Sequence, residues 1–334
     1  MVGRQVVDGP LVSVGMPVFN GEATIRAALE SVLTQTYENL EVLVYNNGST
    51  DGTEEVVLEI AQADPRLTYR SGKTNLGVTH SFNETFRMST GSYFMWAAAD
   101  DDLGTTFVET GVALLEEEPG IGVSVPFVTA YLEGHDGPVY EVCFRGFEPH
   151  VSELMRLVRS IRKLPATCMY GLFRADILGT SELLSPVYMT DVAFLQEIAL
   201  RTAVVCNADQ HLRYNMRAKW KTTAEETSLF GGGMVPRRLV PPALLLLRER
   251  VRRLRAVTST RRRWVFYSTV VICAEAWRLG WRALWRLARR LFGHRALRSL
   301  GTSWYWQHNL PDYMRVIDRE AYERRIVLPT LGLE

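Results

Sequence analysis

Three consecutive aspartates, Asp100, Asp101 and Asp102, are unusual in this 334-residue chain because adjacent carboxylates repel one another unless a cation neutralises them. They directly follow the apolar segment from Tyr93 to Ala98, which predicts a buried strand. Side chains alternate along an extended backbone, so we expect Asp100 and Asp102 to point the same way and to offer oxygens to Mg²⁺ or Mn²⁺. A solvated acidic loop before Leu103 is the alternative interpretation.

A second polar cluster, Asn46 to Thr53, follows the apolar strand predicted for Leu40 to Tyr45. Its glycines allow tight backbone geometry, and its Ser-Thr-Asp set can cap a helix that begins near Thr53. Turn formation and capping explain that set without a ligand. Asn46 and Asn47 lie at the strand end itself, outside that set.

The first 130 or so residues alternate strand and helix patterns that would position these clusters. Strands are predicted at Leu11–Val18, Leu40–Tyr45, Leu67–Arg70 and Tyr93–Ala98, and helices after the first three of them. This alternation predicts an α/β fold with a mostly parallel sheet flanked by helices, in which ligands bind at the carboxyl ends of the strands. The Asn20-Gly21 turn, the Asn46 cluster and the aspartates all fall at that edge.

The second half of the chain carries weaker signals. Strands are predicted at Ile121–Tyr131, Val139–Phe147, Cys168–Phe173 and Ala203–Asn207, and helices at Ser152–Leu164 and Thr190–Leu200. The polar, glycine-rich segment Lys219–Gly233 predicts a loop. The four cysteines are far apart in sequence, which excludes a close-spaced zinc motif and favours a reducing, cytosolic setting.

Five ordered motifs resemble those of the family 2 glycosyltransferases, which have the GT-A fold. They are Pro17-Val18-Phe19-Asn20, Ser31-Val32-Leu33-Thr34-Gln35-Thr36-Tyr37, Gly48-Ser49-Thr50-Asp51-Gly52-Thr53, Asn75-Leu76-Gly77 with Asn83, and Gly91-Ser92-Tyr93-Phe94 leading into the aspartates. The order and the span of about 90 residues make chance agreement an inadequate explanation.

The resemblance implies a transferase that uses a nucleotide-diphosphate sugar. Donor-binding positions implied by it are Pro17, Val18, Phe19, Asn20, Asn46, Asn75, Gly77, Asp100 and Asp101. Most family members carry aspartate where this chain has Asn46. Because an amide still accepts hydrogen bonds and also donates them, we expect base recognition to survive with a changed nucleotide preference. The family's metal-binding Asp-x-Asp motif aligns with either Asp100 and Asp102 or Asp101 and Asp102.

A catalytic carboxylate is also implied by the resemblance, about 90 residues after the aspartates and at the start of a helix. Asp191 fits that description and is our candidate for the general base, with helix-dipole stabilisation as the alternative role. The implied reaction moves one sugar to a hydroxyl of a glycan or lipid-linked acceptor, with inversion.

A catalytically inactive nucleotide-sugar-binding scaffold is the competing hypothesis, motivated by Asn46. A nucleotidyltransferase is disfavoured because no glycine-rich loop with a following basic residue accompanies the first strand.

Charge is distributed unevenly along the chain. Residues 237–298 contain 17 arginines, no lysine and two acids, Glu249 and Glu275, although the whole chain has a net charge of only +1. We therefore predict a catalytic domain over residues 1–235 and a mainly helical, Arg/Trp-rich region over residues 236–334. The other composition values, 47% hydrophobic and 22% charged, are typical of a globular protein.

The basic region predicts a helix with tryptophans on one face, because Trp277, Trp281 and Trp285 recur every four residues. Arginines beside a tryptophan face are typical of helices that lie on an anionic membrane, and packing of this face on the catalytic domain is the alternative. No nucleic-acid partner is expected, because no known nucleic-acid-binding motif accompanies the charge. Without a signal-like N-terminus or a spanning segment, the expected location is cytoplasmic, with attachment at the inner membrane face as the favoured role of residues 237–298.

Overall fold

A computed structural model describes residues 9–144, 146–217, 242–292 and 314–327. Its strands are β1 (Val12–Val18), β2 (Leu40–Asn46), β3 (Leu67–Ser71), β4 (Tyr93–Trp96), β5 (Asp102–Leu103), β6 (Ile121–Leu132), β7 (Pro138–Val142), β8 (Leu172–Arg174), β9 (Ala203–Met216) and β10 (Met314–Val316). Its helices are α1 (Ile25–Leu33), α2 (Thr53–Ala63), α3 (Val78–Met88), α4 (Phe107–Glu117), α5 (Glu153–Lys163), α6 (Ala175–Gly179), α7 (Thr190–Arg201), α8 (Pro242–Val257), α9 (Arg261–Phe292) and α10 (Arg319–Tyr322).

The strands form one sheet in the order β10-β7-β6-β8-β4-β1-β2-β3, and β9 pairs with both β6 and β5. The pairs among β1, β2, β3 and β4 are all parallel, as the alternation of strands and helices predicts. Beyond β4 the sheet becomes mixed, because β8 runs antiparallel to β4 and to β6. The carboxyl ends of β1, β2 and β4 therefore lie at one edge, and the topology confirms the α/β fold.

Local sequence patterns explain these elements. Helix α1 buries Ile25, Ala28, Leu29 and Val32, a spacing that forms one helical stripe against the sheet. Strand β4 is buried on both faces, as expected for a central strand in a sheet covered by helices. Tyr93 and Met95 pack in the larger core cluster, whereas Phe94 and Trp96 pack in a second cluster on the opposite face, with Phe194 of α7. The central strand thus connects the sheet to the helix that carries Asp191.

The strand predicted for Cys168–Phe173 is wrong over its first half. Residues Ala166–Tyr170 form a turn of 3₁₀-helix, and only Leu172–Arg174 is extended. Pro165 fixes the backbone just before the turn, and the N–H of Gly171 closes it on the carbonyl oxygen of Cys168 at 3.2 Å. An apolar run of six residues does not distinguish a buried strand from a buried helical turn.

The C-terminal helices pack on the domain that precedes them. Helix α8 contacts α7, and α9 contacts both α8 and α5. Five buried side chains form the apolar part of this contact: Leu157, Leu200, Leu254, Tyr267 and Val271. Strand β10 continues the sheet beyond β7. In the described segments no helix is both long enough and apolar enough to cross a bilayer. The predicted loop at Lys219–Gly233 and the proposed domain boundary at residue 235 lie outside the described residues.

Candidate active site

The aspartate triplet follows β4 at the binding edge of the sheet. The Ala97 N–H still donates a backbone hydrogen bond to the carbonyl oxygen of Gly15 in β1, after which the chain turns at Ala99 and Asp100. Asp102 then opens the short strand β5, whose antiparallel partner in β9 places Arg213 opposite it. Asp100 and Asp102 are half-buried, whereas Asp101 is only 4% exposed.

Asn215, near the end of β9, holds all three aspartates. Its backbone N–H donates to Asp101 Oδ1 at 2.8 Å, and its side-chain Nδ2 donates to the carbonyl oxygen of Asp100 at 2.9 Å and to Asp102 Oδ2 at 3.2 Å. The sequence analysis missed Asn215, because no local pattern indicates that residue 215 returns to residues 100–102. Asn215 fixes the geometry of the triplet without neutralising its charge.

Two arginines supply positive charge beside the triplet. Arg213 Nε lies 3.6 Å from Asp102 Oδ2, and Arg217 Nη2 lies 3.5 Å from Asp100 Oδ2. The guanidinium of Arg213 also stacks on the ring of Tyr131 at 3.7 Å. These long, largely exposed ion pairs contribute little to stability, so the arginines can exchange a carboxylate for another anion at small cost.

Asp101 differs chemically from its neighbours. Its Oδ2 is buried and accepts no hydrogen bond from any described residue. Burial raises the pKa of Asp101 to about 8, and the charges of Asp100 and Asp102 act in the same direction, while the Asn215 N–H opposes them. A buried carboxyl with an unsatisfied oxygen, between two half-exposed carboxylates, is a donor set that suits a hard divalent cation.

No ready-made cage is present for that cation. Across the described segments, no three His, Cys, Asp or Glu side chains are arranged to hold a metal ion. Mg²⁺ in particular is commonly bound by one or two carboxylates and completed by water and substrate phosphates. The triplet therefore fits a cation that arrives with a phosphate ligand better than a permanently bound structural metal.

The asparagines at the end of β2 are buried and bonded within the protein. Asn46 accepts the Ser49 N–H through Oδ1 at 2.9 Å and donates to the Tyr69 hydroxyl at 2.9 Å. Asn47 donates to Asn75 Oδ1 at 3.0 Å and to the Gly77 carbonyl oxygen at 3.1 Å. The structure thus brings Asn46, Asn75 and Gly77 into one connected loop system next to the end of β1.

The loop after β1 is bonded directly to the loop after β2. The Asn20 N–H donates to Ser49 Oγ at 2.9 Å, and Asn20 Oδ1 accepts the Thr50 N–H at 2.9 Å. Pro17 and Val18 are buried in β1, while the adjoining Phe19 side chain is 42% exposed. These bonds hold both loops in place before any ligand binds, and they leave one aromatic ring at the rim.

Asp191 is the second residue of α7 and is half-buried. Burial raises the pKa of its carboxyl, although hydrogen bonds from the N–H groups of Val192 and of Asp191 itself oppose the shift. The first turn of a helix also favours a negative charge there. The carboxylate can therefore act as a base whose proton affinity is higher than that of an ordinary aspartate.

Tyr170 lies near both Asp191 and the first two aspartates of the triplet. Burial raises the pKa of Tyr170 well above its usual range, and nearby negative charge on Asp101, Asp100 and Asp191 raises it further. Asp100, Asp101 and Asp191, about 90 residues apart in sequence, therefore lie near enough to act on the pKa of one phenol. Sequence reasoning missed Tyr170, since it lies in the segment where a strand was predicted.

Comparisons with known proteins show which sequences this chain resembles. The family model described as Glycosyl transferase family 2 matches residues 13–178. A Haemophilus influenzae protein named as an uncharacterized glycosyltransferase is 37% identical over 128 residues, which are 38% of this chain and 40% of that protein. The matched region thus spans less than half the length of that relative.

Two solved structures share the fold. TarS of S. aureus, in complex with UDP-GlcNAc, aligns with 96% of this chain and 80% of its own, with a TM-score of 0.59 and 16% identity. Mannosyltransferase PcManGT from Pyrobaculum calidifontis, in complex with GDP-Man and Mn²⁺, aligns with 97% of this chain and 86% of its own, with a TM-score of 0.50 and 17% identity. At these identities the likeness shows a common GT-A type fold, a curled sheet flanked by helices.

Proposed function

Residues 13–178 belong to glycosyl transferase family 2, and from this premise we propose that the protein transfers a single sugar from a nucleotide-diphosphate sugar to a hydroxyl of a glycan or lipid-linked acceptor. The observation that carries the proposal is the aspartate triplet after β4, which Asn215 holds in place through three hydrogen bonds, and Asp191 lies near enough to act with Asp100 and Asp101 on the pKa of Tyr170. One group of carboxylates suits the diphosphate end of a donor, and the other suits the acceptor.

The donor nucleotide lies against the connected loops after β1 and β2. Pro17, Val18, Phe19 and Asn20 form one side of this pocket, and Asn46, Asn75 and Gly77 form the other. UDP-GlcNAc and GDP-Man, the donors in the two related structures, are suitable first probes. Asn46 retains one amide hydrogen beyond the bond to Tyr69, so it can present a donor where an aspartate presents only acceptors.

Asp100 and Asp102 are the proposed ligands of Mg²⁺ or Mn²⁺, because they are half-exposed while Asp101 is buried and bonded to Asn215. When bound, the cation supplies charge neutralisation on the departing diphosphate. Arg213 and Arg217 approach the same carboxylates and would bind the phosphate oxygens as the diphosphate displaces them from the triplet.

Asp191 is the proposed general base. The bond between the anomeric carbon and the diphosphate oxygen breaks while the acceptor oxygen bonds to the opposite face of that carbon, and the acceptor proton passes to the Asp191 carboxylate. Direct displacement of this kind inverts the anomeric centre. General-base assistance typically contributes about 10² to 10⁴ to the rate.

Asp191→Asn tests this assignment. We expect nucleotide release from UDP-GlcNAc or GDP-Man, assayed with Mn²⁺ and a panel of acceptors, to fall by about 10² or more while nucleotide affinity stays unchanged. Asp176→Asn is the matched control, because Asp176 also lies in the first turn of a helix but is exposed. Loss of nucleotide affinity in Asp191→Asn would assign this residue to donor binding instead. Tight nucleotide binding without turnover in the wild type would favour the inactive scaffold.

We also propose that the protein is cytoplasmic and attaches peripherally to an anionic membrane through residues 237–298. Helix α9 supports it with an exposed apolar face on which Val265, Phe266 and Ile272 are 49%, 52% and 45% exposed. Exposed arginines at 261–263 adjoin this face, and arginine beside apolar side chains suits anionic headgroups. The side chains of Trp281 and Trp285 lie outside the described residues.

A vesicle experiment tests the membrane attachment. Phe266→Ser with Ile272→Ser should reduce sedimentation with phosphatidylglycerol vesicles by about tenfold, since apolar burial and charge attraction act together at such interfaces. Leu58→Ser is the matched control, because Leu58 is 40% exposed on α2, away from the arginines. Equal sedimentation of both variants and the wild type would contradict attachment through α9.

A further inference from the structure

The loop that leads into α7 contains two residues in an unfavourable backbone conformation. Leu183 has a φ of 54° and Met189 a φ of 53°, both in the left-handed region that branched or bulky side chains avoid. Each such residue costs on the order of 1–3 kcal/mol unless the surrounding structure holds it in place. Met189 directly precedes Thr190 and Asp191, so whatever holds this loop also sets the start of the helix that carries the proposed base.

One side of the loop is held from within the N-terminal region. Asn83 of α3 donates to the Leu184 carbonyl oxygen at 2.8 Å and accepts the Leu184 N–H at 3.0 Å. The Ser185 N–H then donates to Thr190 Oγ1 at 2.9 Å, which connects the loop to the first turn of α7. These bonds fix the middle of the loop to α3 and to the start of α7.

The other side is held by a C-terminal arginine. Arg253 of α8 is 1% exposed, and its Nη2 donates to the Leu183 carbonyl oxygen and, at 2.8 Å, to Ser185 Oγ. Ser185 Oγ in turn donates to Glu249 Oε1 at 2.6 Å. Arg253 therefore contacts the left-handed residue Leu183 itself and the serine that bonds to Thr190.

Buried carboxylates fix the position of Arg253. Its Nη1 lies 2.6 Å from Glu197 of α7, which is 1% exposed, and its Nε lies 2.7 Å from Glu249. Burial acts to raise the pKa of Glu249, but hydrogen bonds from Arg252 and Ser185 and the charge of Arg253 lower it to about 2. A guanidinium held by two carboxylates in this way has little freedom, so its contacts to the loop are rigid.

We propose that Arg253 and Ser185 are positioning residues that set the loop before α7 and thereby aim Asp191 at the acceptor hydroxyl. The inference rests on the proposed function, since it concerns the same base. It assigns a role in the reaction to the arginine-rich C-terminal region, whose charge alone indicates only an acidic partner. Displacement of a reacting group by about 1 Å can cost as much as 10²-fold in rate, so small loop movements are sufficient.

Ser185→Ala is the main test, because it removes the hydroxyl that joins the loop to α8 and leaves the ion pairs of Arg253 with Glu197 and Glu249 intact. Ser89→Ala is the matched control, since the Ser89 hydroxyl donates to the Phe86 carbonyl oxygen at the end of α3, outside the loop. Arg253→Lys is the second variant, with the exposed Arg248→Lys on the same helix as its control. Lysine keeps the charge but cannot reproduce the divided contacts of a guanidinium.

Amide hydrogen exchange and steady-state kinetics of these variants and their controls test the proposal. Amide hydrogen exchange of the peptide covering residues 183–190 should become about tenfold faster in Ser185→Ala and Arg253→Lys and stay unchanged in both controls. In the same variants, the kcat for transfer should fall by about 10- to 100-fold while the donor KM and the affinity for UDP or GDP with Mn²⁺ remain within about twofold. A purely structural role would change stability without this separation of kcat from KM.

The outcomes distinguish the inference from the function on which it rests. Unchanged loop exchange, or faster exchange with a wild-type kcat, would overturn the positioning role even if Asp191→Asn abolishes transfer. A wild-type rate in Asp191→Asn would remove the proposed base itself, and the positioning role with it. Parallel losses of nucleotide affinity and kcat would likewise contradict a role confined to Asp191.

Discussion

Burial raises the pKa of two aspartates of the site, Asp101 and Asp191, with different consequences. Asp101 has a pKa of about 8 and is therefore mainly neutral at pH 7, which lowers the repulsion within the triplet. Asp191 also has a raised pKa, but hydrogen bonds from backbone N–H groups limit the rise. A raised pKa gives the Asp191 carboxylate a higher affinity for a proton than an ordinary aspartate has, as a general base requires.

The proposed role of Asp191 as the base predicts a pH dependence of transfer. A general base works only when deprotonated, so activity should fall as the pH drops through its pKa. Since burial raises that pKa above the ordinary aspartate value of 3.8, we expect the acidic fall in kcat to occur at a higher pH than an exposed aspartate would give. A kcat profile from pH 4 to pH 8, at saturating donor, measures it. A constant kcat down to pH 4 would contradict this role.

Metal dependence separates the two possible ligand pairs. Asp100→Asn and Asp102→Asn should each weaken Mn²⁺-dependent UDP or GDP binding by about tenfold or more, because each removes an accessible anionic ligand. Asp101→Asn should have a smaller effect, as this residue is buried and bonded to Asn215. Exposed Asp209 on β9 provides the control substitution Asp209→Asn. Equal losses in the Asp101 and Asp102 variants, with none for Asp100, would identify the other pair.

At the scale of elements, sequence patterns predicted the first half of the fold well. Strands β1 to β4 and the helices between them follow strict apolar periodicities, and their polar ends fall where the parallel sheet places them. The resemblance to a family made Asp191 the candidate base, and this role stays a prediction because no local pattern distinguishes Asp191 from a capping residue. Prediction failed where chemistry depends on distant pairing, as for Asn215 with Asp101, separated by 114 positions.

Two further contacts show the same limit. Cys143 and Cys206 are 63 positions apart, yet their Sγ atoms lie 3.7 Å from one another across neighbouring segments. Arg250 and Arg253 belong to an arginine-rich segment whose composition predicts an exposed basic surface. Both side chains are instead buried against glutamates. Composition reports total charge, whereas burial depends on which partners the tertiary fold supplies.

The connection between the loops after β1 and β2 leads to a prediction about Asn20, whose φ is 52°. Asn20→Gly keeps the left-handed backbone and loses the hydrogen bond to Thr50, so we expect a loss of about 0.5–1 kcal/mol in the free energy of unfolding. Asn20→Ala should cost roughly 1 kcal/mol more, because alanine disfavours this conformation. Urea unfolding of the two variants measures the difference. Alanine equal to or better than glycine would contradict the backbone argument.

At the scale of the whole molecule, buried ion pairs join α8 to α7 on one side and to α9 on the other. Arg253 reaches Glu197 on α7, and Arg250 pairs with Glu275 on α9 and donates to Gln196 of α7 at 2.8 Å. Breaking a buried ion pair leaves an uncompensated charge and is typically far more costly than losing a surface pair. The stability of the protein should therefore respond to charges that lie between its two regions.

Glu249 provides the test of this coupling. Its pKa is about 2 in the folded protein against 4.5 for the free group, so its ionised form stabilises the fold above pH 4.5, and this contribution is lost as the pH falls towards 2. We expect Glu249→Gln to lower the free energy of unfolding by roughly 3 kcal/mol at pH 7 and by less at pH 3. Urea unfolding at both pH values, with exposed Glu54→Gln as control, measures the effect. A deficit that does not shrink with acid would contradict the shift.

The position of α8 on α7 has a practical consequence for dissecting the protein. A shortened chain that stops near residue 235 would lack both Arg253 and the apolar cover of Leu200, and would leave Glu197 with Arg201 as its remaining partner. Such a fragment contains all the motifs that resemble the transferase family, but it lacks the contacts that α8 makes with α7. Residues that bear no family motif are thus part of the smallest unit that should fold and turn over substrate.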